Sequence, residues 1–136
     1  MDTTIGDLAK LAAFMVRGGG LPGKWRTTFA KGTLPVTSRQ QFPTFLPEAP
    51  PNQRPQAAAA LGVIAFSGPQ GSGWYKGGHN DVTANTLVCI EKGRRCVLIL
   101  ANDVRAEKAF PSLVRTILAN TGVPYGWEYP DLKDAN

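Results

Sequence analysis

The chain has two cysteines and one histidine in 136 residues, and it lacks any long uninterrupted apolar run. Two cysteines are too few for the disulfide framework of a small secreted scaffold. One histidine with two distant cysteines does not have the ligand spacing of a zinc centre, so neither a metal nor a cofactor is expected. A membrane-spanning helix needs about 20 apolar residues, so no membrane span is expected. The start, Met1-Asp2-Thr3-Thr4, has no basic stretch followed by an apolar one, so a signal peptide is not expected either. A nucleophile with a partnered base is also missing. The serines are Ser38, Ser67, Ser72 and Ser112, and none is followed by lysine three positions later.

Basic residues are not scarce: fifteen Lys and Arg against ten Asp and Glu give a formal charge of +5. Lys10, Arg17, Lys24, Arg26, Lys31 and Arg39 run without an acid between Asp7 and Glu48. No aromatic-interleaved or arginine-rich motif accompanies them, so they read as a solvated face and nucleic acid is not an expected partner. The length fits one domain with a modest core.

Helical signals occupy both ends. Thr4 caps a first turn that Asp7 answers, Ile5, Leu8, Leu11, Ala12 and Met15 form one apolar face, and Gly18-Gly19-Gly20 ends the helix within 1–20. Residues 21–59 contain seven prolines and scattered Trp25, Phe29, Phe42 and Phe45, which predict a long loop lying on something else. Strands are expected within 60–101: Ala60 to Ser67, Trp74 to Gly78, Asn85 to Glu91 and Arg95 to Leu100. The last two are apolar on both faces and read as central strands covered by helices. A closing helix is expected within 105–121, with Phe110, Leu113, Val114, Ile117 and Leu118 inward. In the tail, 122–136, Trp127 and Tyr129 should dock and Asp131 to Asn136 should fray. The fold class is α+β, an antiparallel meander packed by an N-terminal and a C-terminal helix.

If Lys92-Gly93 makes a two-residue turn, Cys89 and Cys96 face each other across the hairpin, near enough to bond; a shift of one residue separates them. The favoured reading is two buried thiols acting as small hydrophobes.

The chemistry is concentrated in Trp74-Tyr75-Lys76-Gly77-Gly78-His79. A cation beside bare backbone can grip an anionic substrate at close range. The plainer reading of Lys76 is an edge-strand lysine that deters aggregation. Trp74 and Tyr75 read first as packing residues and second as a substrate platform. His79 matters more through its main chain than its imidazole. Asp81 could orient that ring but reads more readily as a turn former. Asn102 satisfies backbone at a strand end, and Arg94 and Arg95 solvate a hairpin tip.

Three segments carry a resemblance. They are the helix start Thr3-Thr4-Ile5-Gly6-Asp7-Leu8-Ala9, the run Lys76-Gly77-Gly78-His79, and the strand Leu98-Ile99-Leu100-Ala101-Asn102. In this order they resemble the C-terminal part of the penicillin-binding-protein and class C β-lactamase family of serine hydrolases, with 1–136 as one segment of that domain. The resemblance implies acyl transfer on a small-molecule ester, amide or peptide. Lys76 would supply positive charge, Tyr75, Gly77 and Gly78 would line the substrate, and the His79 N–H would form half of an oxyanion hole. Gly77 stands where the family carries a threonine, which disfavours antibiotic hydrolysis. The family's Ser-x-x-Lys and Tyr-x-Asn motifs are absent, so the chain is expected to be silent unless an N-terminal half supplies the nucleophile. Exported relatives are common in this family. The alternative is a non-catalytic interaction module, a homo-oligomer formed through an exposed sheet edge.

Overall fold

The helix starting after Thr4 sets the orientation of one layer. In the computed structural model, which describes residues 3–43 and 47–132 apart from the Arg26 side chain, α1 spans Ile5–Arg17. The Thr4 hydroxyl accepts a hydrogen bond from the Asp7 N–H, and Gly18 closes the helix in the left-handed region at φ 69°. Both ends are the ones the capping residues predict. The buried face differs from the expected one. Ala12 and Val16 are buried, while Ile5 and Leu11 are about half exposed.

The Pro-rich stretch is more ordered than expected. It contains helix α2 (Gly23–Phe29), strands β1 (Leu34–Pro35) and β2 (Ala57–Ala59), and a short 3-10 turn at Pro51–Gln53. Pro22 precedes α2, Pro51 opens the 3-10 turn and Pro35 lies in the short strand β1, positions where proline is tolerated. Phe29 stacks edge-on against Trp74, as a covering segment should, while Trp25 and Phe42 are exposed. Phe45 lies outside the described residues.

Strands β3 (Ile64–Gly68), β4 (Gly71–His79), β5 (Ala84–Ile90) and β6 (Arg95–Ala101) complete a six-stranded antiparallel sheet in the order β1-β2-β3-β4-β5-β6. Thus the meander expected from the sequence is present, enlarged by two short strands. β6 is an edge strand and not a central one. It is apolar on both faces because α1 packs on one and α3 on the other.

After β6, Asp103 caps a 3-10 segment, Val104–Ala109, that leads into α3 (Phe110–Leu118). The closing helix is therefore shorter than 105–121, and Pro111 in its first turn explains where the α-helix can begin. Phe110, Val114 and Leu118 are buried; Leu113 and Ile117, expected inward, are exposed. The tail folds back as α4 (Tyr125–Glu128) and a 3-10 turn at Pro130–Leu132. Leu132 packs on the core, so the docked part of the tail extends beyond Tyr129, into the stretch expected to fray. Residues 133–136 lie outside the described residues.

Two apolar clusters result, one on each face. Phe66, Tyr75, Val88, Ile90, Val97, Phe110, Val114, Leu118 and Tyr125 pack together under α3 and the tail. Val16, Val63, Trp74 and Cys89 pack under α1 and Phe29. Cys89 and Cys96 are directly opposed in the β5–β6 register and form a disulfide, which corrects the expectation of two free thiols. The Arg94 N–H bonds to the Glu91 carbonyl around Lys92-Gly93, the two-residue turn that sets this register.

Candidate active-site wall

The run from Trp74 to His79 lies on one strand, β4, whose two halves have different neighbours. Gly71 to Tyr75 pair with β3 on one side, and the last of those pairs is Ile64 with Tyr75. Gly73 to His79 pair with β5 on the other side. Beyond Tyr75, then, β4 has an open edge among the described residues. The Ser72 carbonyl accepts from the Glu91 N–H across β5, which fixes the alternation of main-chain groups along the strand. By that alternation the N–H and C=O of Gly77 and His79 face the open edge.

Lys76 is exposed, and its ammonium bonds to the outward-facing Gly77 carbonyl. It therefore stands at the edge, wrapped against the strand. Beside it is a cavity of about 250 Å³, lined by Ala59, Ala60, Gly62 to Ile64, Tyr75, Gly77, Gln41, Trp127 and Glu128. Trp127 is fixed there by a 3.0 Å bond from its indole N–H to the Ser38 hydroxyl. The structure thus brings Tyr75, Lys76 and Gly77 to one cavity. Gly78 turns its missing side chain toward Asn85, and His79 lies at the far end of the edge. No serine lines the cavity.

Tyr75 is 1% exposed and belongs to the core, so its packing role and its place in the cavity wall coincide. Trp74 is equally buried, on the opposite face. Glu107, not Asp81, is the carboxylate at the His79 ring, with 3.5 Å between Nδ1 and Oε2. The turn after β4 is organised by Asn80, whose side-chain oxygen accepts from the Val82 and Thr83 N–H groups.

Sequence reasoning missed Glu128. Its carboxylate fills the space where a side chain at 77 would begin, so a Cβ at Gly77 would overlap it. Among the described residues, Glu128 Oε2, Glu107 Oε2 and the hydroxyls of Tyr75, Tyr125, Tyr129 and Thr86 are buried with no hydrogen-bond partner. Burial pushes the Glu128 carboxyl above its usual range, against the pull of the nearby Lys76 charge. Burial and the Glu128 charge likewise raise the three tyrosine hydroxyls. The signal available in the sequence was the glycine at position 77 together with the dense tail Tyr125-Gly126-Trp127-Glu128-Tyr129.

Among the described residues no group of three metal-ligating side chains is present, and no helix is long and apolar enough to cross a membrane. Comparisons with family models, with curated proteins and with solved structures found no match for the chain.

Proposed function

We propose that this chain is the substrate-binding wall of a β-lactamase-related serine hydrolase acting on an ester, amide or peptide by acyl transfer. The observation that carries this reading is the stretch Lys76–His79, paired with β5 on one side and open on the other among the described residues, which holds a cation and two outward-facing main-chain positions beside a cavity. An extended acyl substrate can pair with such an edge as an added strand. The His79 N–H would then point at the developing oxyanion, where one donor is worth about 2.7–4 kcal/mol. Lys76 would hold the substrate and the local proton network. The attacking serine would come from a second polypeptide segment carrying Ser-x-x-Lys.

Two substrates test this: a p-nitrophenyl ester and a chromogenic cephalosporin. The pure chain should turn over neither. Adding a segment that carries Ser-x-x-Lys and Tyr-x-Asn should restore ester hydrolysis and leave the cephalosporin nearly untouched. Serine-dependent turnover by the chain alone would refute the division of labour.

A second reading rests on a different observation. The outer edge of β6 is unpaired among the described residues, and Ile5, Leu11 and Phe14 of α1 are about half exposed. A homo-oligomer formed through that edge would be an interaction module with no chemistry. Light scattering after size exclusion separates the two readings: a discrete dimer favours self-association, and a monomer removes it.

A further inference from the structure

Among the described residues, Lys76 and Glu128 are the two charged ones that line the cavity, one on each side of Gly77. The remaining lining among the described residues, Ala59, Ala60 and Gly62 to Ile64 with Gln41, Tyr75, Gly77 and Trp127, is neutral. A single lysine at the mouth would make the cavity an anion site. With a carboxylate facing the same glycine the two formal charges offset each other, so a ligand carboxylate gains no net attraction to repay its desolvation, while a neutral amide has far less to lose. The carboxylate is also fixed in place. It fills the notch left by the missing side chain at 77, and it is carried on α4, which the buried Tyr125 and Tyr129 anchor to the core.

From this placement we infer that Glu128 is a specificity-determining residue, which makes the cavity select neutral acyl groups, esters and amides, over ligands with a free carboxylate beside Lys76. The inference rests on the proposed reading of the β4 edge as a ligand-binding wall and adds the substrate class.

Binding to the pure chain tests it without any need for turnover. N-acetylglycinamide and N-acetylglycinate are titrated at pH 8, where the buried carboxyl is most fully ionised, and followed through the backbone amide signals of Gly77 and His79. The amide should bind about fivefold more tightly than the carboxylate, the factor expected of one partly exposed charge interaction. Glu128→Gln leaves Lys76 as the lone charge and should reverse the preference toward the carboxylate, and Glu128→Ala should do the same if glutamine packs poorly. Lys76→Gln should widen the gap. The inference is overturned if the carboxylate binds as tightly as the amide, if Glu128→Gln leaves the ratio unchanged, or if neither probe moves those signals. Ester hydrolysis with the complementing segment is read separately. Hydrolysis without charge discrimination sinks this inference alone, and discrimination without hydrolysis sinks the acyl-transfer reading alone.

Discussion

The two halves of β4 are continuous in sequence and opposite in character. From Gly73 to Tyr75 the strand is paired on both sides, and Trp74 and Tyr75 are each 1% exposed. From Lys76 to His79 it is paired on one side, and Lys76 and His79 are exposed. The first half is held by packing on both faces of the sheet. The second half keeps its geometry from β5 alone; no strand pairs with its other side among the described residues, where the Gly77 carbonyl accepts from Lys76. A strand can present unpaired main chain at a fixed position only if its neighbour stops early and its root is anchored. Here β3 stops at Ile64, and the Trp74 and Tyr75 side chains anchor the root.

Four substitutions sharpen that contrast. The largest loss is expected in the anchored half. Trp74→Ala empties a fully buried site and should cost about 3–5 kcal/mol in urea unfolding. A cost below that of an ordinary surface substitution would show that the root is not what holds the strand. Next comes the hairpin beside it. Replacing both Cys89 and Cys96 with alanine should cost about 2 kcal/mol, the expectation for a disulfide closing a short loop, and mild reductant should reproduce the loss in the parent chain.

In the open half the main effect is one of fit. Gly77→Thr restores the residue type that the resembled family carries there, but its Cβ would overlap the Glu128 carboxylate. The expected cost is about 1–3 kcal/mol from overpacking, and it should shrink in a Glu128→Ala background. Equal costs in the two backgrounds would dissociate the two positions. Lys76→Gln should change stability by less than about 0.5 kcal/mol, since the side chain is exposed, while altering ligand binding.

Glu128 also has a pH signature. Its carboxyl is held above the usual range, so the folded chain binds that proton more tightly than the unfolded chain does. The resulting stabilisation is complete below the ordinary carboxylate range and is lost as pH rises through the raised value. Urea midpoints measured from weakly acidic to neutral pH should fall for the parent chain. They should fall less for Glu128→Gln.

Much of the framework was legible from local patterns. Thr4 and Asp7 marked the start of α1, Lys92-Gly93 set the register of the β5–β6 hairpin, and short runs apolar on both faces identified β5 and β6. These signals act over a few residues, where capping and turn geometry are decided. The site was legible in part. Lys76, Gly77 and His79 were singled out by residue type, and the structure sets Lys76 and Gly77 at the cavity with His79 further along the open edge. Glu128 and Glu107 were not, because they come from α4 and the 3-10 segment, about 50 and 28 positions away from the residues they face.

What local sequence settled by itself was where α1 begins and ends, how β5 and β6 pair in a hairpin and which short run carries the cation and the glycines. Only the tertiary structure decided that β6 is an edge, that two cysteines become one disulfide, and that a tail carboxylate occupies the side-chain space of Gly77. Capping and turn formation depend on neighbours a few residues apart. Edge position, burial of charge and the filling of a notch depend on which distant segments pack together, and no local pattern encodes that.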